Sequence, residues 1–307
     1  SLDLFLVTDI KDTRFADFNV DSTRLILDIR RNDNGNKIIN LISDIADFTI
    51  SGNYKISSMG NVFSREAEIL NKNITDKYLA VFSDDSLDSQ QLVLTENQLP
   101  EELQDFSLTY LLDFKESVEI SLGENYLELD GLIRGNMSNK DEQLAIEMDS
   151  DFEYLKFWND VDVYFLIDAS VDFNLENDLA SLENNYLYSG FNVSADRIYA
   201  GGNLYNLNAD LDINDDKITA NIKTDFENNL KADISADLKV NEQILTLEIP
   251  TIKVLYNTFE IKNSGIIQLT YNDNAINFNR FLMDVAGAEF SITGDAGFEG
   301  DHEAKLS

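Results

Sequence analysis

Few residues in this chain have the type and spacing that chemistry needs. The one histidine, His302, stands between Asp301 and Glu303, and there is no cysteine. A His-based triad, a thiolate nucleophile, a disulfide and the usual zinc sites therefore lack their residues. Two clusters offer the oxygen ligands that calcium takes: Asp212, Asn214, Asp215 and Asp216, and Asp33, Asn34 and Asn36. Neither has the D-x-[DN]-x-[DN]-G spacing and closing Glu of an EF-hand loop, so both read as solvated turns and no metal is expected. Carboxylate pairs at glycosidase separations carry no information in a chain with 57 acids. Gly201-Gly202-Asn203 lies between Tyr199 and Tyr205 in strand context, with no helix after it. It reads as a bulge or turn, not a phosphate cradle. Asn73-Ile74-Thr75, Asn136-Met137-Ser138 and Asn192-Val193-Ser194 are glycosylation sequons, which matter only in a secreted eukaryotic chain. No catalytic residue and no cofactor is assigned; the chain reads as a non-enzyme.

Charge narrows the classes further. The 57 Asp and Glu face 23 Lys and Arg, a formal net charge of −34. Such a surface cannot bind a phosphate backbone by counterion release, and anionic membrane surfaces repel it. Nucleic acid is excluded as a partner. Apolar residues at 43% are an ordinary globular share, so the acidity does not imply disorder. No run of 18 apolar residues marks a membrane helix.

The elements that position these residues are strands. Leu230, Ala232, Ile234, Ala236, Leu238 and Val240 alternate with Lys231, Asp233, Ser235, Asp237 and Lys239 without a break. The same period recurs at Leu207, Ala209, Leu211 and Ile213, at Ile218, Ala220 and Ile222, and at Leu245, Leu247 and Ile249. Val254, Ile261 and Leu269 continue it, as do Ile276, Phe278, Phe290 and Ile292. Upstream it runs through Leu25–Ile29, Phe106–Phe114, Val118–Leu122, Leu144–Met148 and Val161–Leu175, the last as one strand or two joined by a bend. Each segment has one apolar and one polar face. Between them stand turn clusters such as Asn214-Asp215-Asp216 and Asn32-Asp33-Asn34-Gly35. With 33 Asn against 14 Gly and 2 Pro, the turns are built on Asn and Asp. The result is an all-β, long antiparallel meander.

One stretch departs from the alternation. Phe63, Ala67, Leu70, Ile74, Tyr78 and Val81 fall at helical spacing, with Asn61 or Ser64 as N-cap. Leu99-Pro100-Glu101-Glu102-Leu103 reads as a short helical turn with Pro at its first position. Residues 61–105 are thus a helical excursion. Residues 1–307 otherwise form one continuous sheet-forming unit, and the abrupt start and finish read as a segment cut from a longer chain. An open sheet of about 14–18 strands at ~4.8 Å spacing runs ~65–85 Å and must fold over, close or curl around something. No separate set of apolar elements is available to cover its apolar face.

The stretch from Asn203 to Asn221 (NLYNLNADLDINDDKITAN) resembles the TamB branch of the AsmA-like family of Gram-negative envelopes. Lys231–Val240 and Asp47–Lys55 are similar to it in the same way, through degenerate strand repeats. The resemblance implies a taco-like, U-shaped β-groove in the periplasm, anchored to the inner membrane through parts outside this segment. It implies an apolar lining, here Leu207, Leu211, Ile213, Ile218, Ile222, Leu230, Ile234, Leu238, Leu245, Leu247, Ile249, Val254, Ile261 and Leu269. Its implied partners are phospholipid acyl chains, adjoining β-repeats of the full-length chain and an outer-membrane barrel of the TamA type. The function expected is a non-enzymatic lipid conduit between inner and outer membrane. The alternative from another class is an extracellular or surface structural, adhesive β-repeat protein with a closed core.

Overall fold

The unbroken alternation of the sequence becomes one sheet. A computed structural model describes residues 3–15, 18–73, 103–115, 117–122, 125–159, 161–180, 187–226, 229–241, 244–272, 275–297 and 304–306. The first strands are β1 (Leu4–Phe15), β2 (Phe18–Arg31), β3 (Lys37–Ile42) and β4 (Ala46–Asn53), followed by the helix α1 (Ile56–Asn73). Then come β5 (Phe106–Phe114), β6 (Val118–Leu122), β7 (Asn125–Lys140), β8 (Gln143–Trp158), β9 (Val163–Asp178) and β10 (Leu187–Ala200). The second half has β11 (Asn203–Asn214), β12 (Lys217–Phe226), β13 (Leu230–Asn241), β14 (Ile244–Tyr256) and β15 (Phe259–Asn263). It closes with β16 (Ile267–Asn272), β17 (Ala275–Val285), β18 (Ala288–Gly297) and β19 (Ala304–Leu306).

Every described pairing is antiparallel, and all but β5–β7, β14–β16 and β15–β17 join consecutive strands, as a meander requires. The 19 strands occupy seventeen positions across the sheet. The reason is that β5 and β6 lie end to end along β7, and β15 and β16 lie end to end between β14 and β17. Strand β1 pairs with β2 and β19 with β18, and no pairing joins β1 to β19 among the described residues.

Turn chemistry follows composition. Asn32 Oδ1 accepts the N–H groups of Asn34 and Asn36 (3.0 and 2.9 Å), an Asx turn that leaves Gly35 at φ 83°. Asp215, Asn229 and Asn257 take φ of 51–60° at their hairpins, where short amide and acid side chains tolerate the left-handed region. Gly201-Gly202 is the hairpin turn between β10 and β11, with Gly201 at φ 72°. Between β7 and β8 the two turn residues are Asp141 and Glu142, at φ 50° and 63°, a place where composition pointed to no turn.

Helix α1 differs from the expectation at both its start and its face. It begins at Ile56, so Asn61 and Ser64 are interior and exposed, not caps. The N–H groups of Ser58 and Met59 both reach the Lys55 carbonyl at 3.1 Å, which makes Lys55 the capping residue. Its fully buried stripe is Ser58, Val62, Glu66 and Ile69, one residue back from the apolar series Phe63, Ala67, Leu70. Ala67 is exposed. The offset arises because the buried stripe contains a serine and a glutamate that hydrogen-bond within the protein. Ile74, Tyr78 and Val81, and residues 99–102 of the second helical turn, lie outside the described residues. Leu103–Asp105 enter β5 without helix.

The main core sits beneath α1. Val62 and Ile69 pack with Tyr54, Phe106, Leu108, Leu144, Leu175, Leu179 and Leu187, drawn from the starts of β5, β8 and β10 and the end of β9. Each such side chain contributes about 1.5–3 kcal/mol when fully buried. Arg65 Nε donates to the Leu179 carbonyl (3.2 Å), and Ser58 Oγ donates to Gln104 Oε1 (2.9 Å), tying the helix to the chain on both sides.

Candidate functional site

The register places all fourteen expected lining residues on one face. Opposed residues of an antiparallel pair share a face. Ile213 faces Ile218, Ile222 faces Ile234, Phe226 faces Leu230 and Leu238 faces both Ile218 and Leu247. Leu247 faces Leu269, Ile249 faces Ile267 and Val254 faces Ile261. Leu211 stands between Phe191 and Ala220, and Leu207 opposite Ala195. Upstream the row continues through Val193, Val171, Ser150, Ile133, Leu112, Phe48, Leu41 and Leu27 to Leu6. This apolar face is continuous from β1 to β18.

Keeping it continuous requires three local breaks in alternation: a bulge line across β8 to β11, one at Pro250 in β14, and one at Asn279 and Arg280 in β17, where the register slips against both β16 and β18. Between β7 and β8 the register slips at Asp130 and Gly131, and between β11 and β12 at Tyr205 and Asn208. Between those slips, β8 to β11 stay in step. Phe152, Ala169, Ala195 and Leu207 form one row, and Tyr154, Ile167, Arg197 and Tyr205 the next. Glu153, Asp168, Asp196 and Asn206 stand between the rows, with Asp168 and Asn206 at φ 47° and 51°. Four adjacent strands thus carry the same extra residue, a bulge line that bends the sheet and inverts which residues point inward. Beyond it the apolar row is Leu129, Leu155, Leu166, Ile198, Leu204 and Phe226. The series Val161–Leu175 is therefore one strand from Val163 whose inward face changes at Asp168; Val161 lies in the turn before it.

The second break is at Pro250 in β14, where the register to β13 slips between Ser235 and Asp237. Proline has no N–H for the ladder. Asn263 repairs the gap: its Nδ2 donates to the carbonyls of Pro250 and Gly265 (2.9 and 2.7 Å), and its Oδ1 accepts the Ile252 N–H (2.9 Å).

Away from α1 this face is closed in places, at Val240, Leu245 and Ile267, and open across the middle of β10 to β13. Phe191 keeps 41% of its surface exposed, Leu211 38%, Ile222 42% and Ile234 36%. These are opposed apolar pairs in the middle of long strands, positions that an ordinary sandwich buries. Tyr110, packed against the core beneath α1, crosses over Gly135, with its hydroxyl donating to the Glu147 carbonyl at 3.3 Å.

The opposite face is charged. Lys217 pairs with Asp237 (3.1 Å), Lys231 with Asp225 (3.3 Å) and Lys262 with Glu260 (2.7 Å). Bonds from Lys262 and Lys253 hold the Glu260 carboxyl below the usual range, and bonds from Asn206 and Lys231 do the same for Asp225. These pairs are solvated, so water and salt screen them and they add little to stability. A cavity of ≈ 440 Å³ on this side is lined by the row Asp149, Asp172, Asn192, Asp210 and Asn221 and by neighbours such as Asn174 and Asp212. Burial, then Asp149 and Asp151, push the Asp172 carboxyl up, against the pull of Arg134. Asn192 donates to Asp210, which separates like charges.

The two acid clusters of the sequence serve as turns. Asp215 Oδ1 accepts the Leu187 N–H (3.1 Å), and Asp33, Asn34 and Asn36 lie in or beside the Asx turn at Asn32. Among the described residues, no group of three or more His, Cys, Asp or Glu is placed to hold a metal. Of the sequon asparagines, Asn136 donates to Glu147 Oε2 (3.2 Å) and Asn192 to Asp210. His302 lies outside the described residues.

Sequence reasoning missed the buried polar group under α1. Glu66 Oε2 accepts from Asn177 Nδ2 at 2.6 Å, with Asn139 and Asn177 flanking Leu144 across three strands. The only signal was an amide at a position where alternation called for an apolar residue. No protein-family model, curated protein or solved structure matches the chain.

Proposed function

We propose that this chain is a non-enzymatic lipid conduit, a TamB-like segment that carries phospholipid acyl chains across the periplasm between inner and outer membrane. The observation that carries the reading is the uncovered apolar pairs Phe191–Leu211 and Ile222–Ile234. In this reading the sheet curls into a U-shaped groove, and acyl chains occupy the space those side chains face. Seventeen strand positions at ~4.8 Å give a groove about 80 Å long.

The physics suits transfer without a catalytic residue. Two acyl tails hold roughly 30 methylenes at ~0.8 kcal/mol each, about 24 kcal/mol against leaving a bilayer for water. A dry apolar trough removes most of that barrier. The charged outer face keeps a long sheet soluble. Adjoining β-repeats of a longer chain extend the sheet at its β1 and β19 edges, which removes the exposed ladder groups there. Inner-membrane anchoring and a TamA-type outer-membrane partner belong to this reading through the resemblance of Asn203–Asn221, Lys231–Val240 and Asp47–Lys55.

Native mass spectrometry with lipid extraction on the gently purified chain tests it. Several phospholipids per chain support the conduit. A clean protein mass from folded material overturns it and favours the structural, adhesive reading with a closed core.

A further inference from the structure

The seat of α1 holds a group foreign to an apolar core. Glu66 is 5% exposed, and its Oε2 accepts the Asn177 amide. Among the described residues its Oε1 has no hydrogen-bond partner, and neither has Asn139 Oδ1 in the same layer. The charged groups nearby are engaged elsewhere. Arg65 bonds the Leu179 carbonyl and lies 3.9 Å from Glu68; Lys55 donates to Gln104 (3.3 Å). Lys37 sits 5.2 Å over the Tyr54 ring, whose hydroxyl is itself buried with no partner among the described residues. Asp105 and Asp178 accept the N–H groups of Asp141 and Ala180. Among the described residues, the inward positions of β5, β7, β8, β9 and β10 at the seat carry one ionisable side chain, Tyr110, whose hydroxyl donates to the Glu147 carbonyl.

An ionised carboxylate there loses its hydration and gains one hydrogen bond. Protonation removes the charge and lets one oxygen donate. Burial accordingly raises the Glu66 carboxyl above its ordinary range, with the Asn177 bond pulling the other way.

We propose that α1 is a displaceable cap on the apolar face, seated while Glu66 is protonated and released as Glu66 ionises. Because the seated carboxyl lies above its free value, seating is strongest below the ordinary carboxylate range. It weakens as pH rises through the raised value. Release uncovers Phe106, Leu108, Leu144 and Leu175, which join the face already open at Phe191 and Leu211. The consequence for acyl chains rests on the function proposed above; the release of the helix does not.

Hydrogen exchange read by mass spectrometry on the same chain, corrected for intrinsic rates, tests the release between about pH 5 and about pH 8. The expected result is a loss of α1 protection of roughly tenfold or more toward the higher pH, with β12 and β13 unchanged. Glu66→Gln keeps α1 protected at both values. Equal α1 protection in the wild type at both pH values, or a Glu66→Gln profile that tracks the wild type, overturns the proposal. Should Glu66→Gln not fold, nitroxides on Ala67→Cys and Asp141→Cys, in a chain with no other cysteine, report the helix-to-sheet distance. A pH-independent distance overturns it, and a lengthening supports it. Release without added binding of a fluorescent fatty acid leaves the cap standing and counts against the acyl-chain role.

Discussion

Ile222 on β12 faces Ile234 on β13 directly, and each keeps more than a third of its surface exposed. Two β-branched side chains paired mid-sheet normally mark a core. Here they mark a surface, and that contrast separates positions where a charge is tolerated from positions where it is not.

Ile234→Asp and Leu211→Asp are expected to fold, at a cost of about 1–2 kcal/mol, because solvent already reaches both positions. Ile267→Asp, at a site with no exposed surface, is expected to cost more than about 4 kcal/mol and to unfold the region. Denaturation midpoints check the difference. On the proposed function, the two folded variants lose bound lipid; normal lipid content in both would count against it.

Ile69→Ala, on the buried stripe of α1, removes a side chain with no exposed surface and is expected to cost about 2–5 kcal/mol. Ile222→Ala should cost no more than about 1.5 kcal/mol, since less area leaves contact. A urea series on both proteins measures this ratio, and equal costs would mean that the face around Ile222 is covered in solution.

Asn263→Ala leaves the Ile252 N–H and the carbonyls of Ile249, Pro250 and Gly265 without this partner. The expected loss is about 1–3 kcal/mol. Faster exchange confined to β14 through β16 is the local signature.

Lys262→Ala should let the Glu260 carboxyl rise toward its ordinary value, since Lys262 is the largest cause holding it down. The contribution of this pair is present above that ordinary value and fades as pH falls through the lowered one. Carboxyl NMR titration reads the shift. Thermal stability should change little, because the pair is solvated and screened.

The strands were legible because period two is a local property. Leu230–Val240 needs no partner to declare its faces, and its register with β12 then carries Ile218, Ile222 and Ile234 to one side. The turns were legible where Asn and Asp cluster, and missed at Asp141-Glu142, where two acids take left-handed conformations that composition does not announce. The helix was found but misaligned. A pattern of apolar residues cannot reveal a buried stripe that includes Ser58 and Glu66, because their burial depends on Gln104 and Asn177, 46 and 111 residues away.

The amino-acid order by itself determined an all-β meander, its polar and apolar faces, and the absence of cysteine chemistry. Tertiary structure alone decided where that apolar face is covered and where it is open. It also decided the bulge line through Asp168 and Asn206, which inverts the alternation of four strands together. The physical reason is range. Alternation is written between residues two apart, whereas coverage by α1 and a bulge shared by four strands depend on contacts that exist only once distant segments have paired.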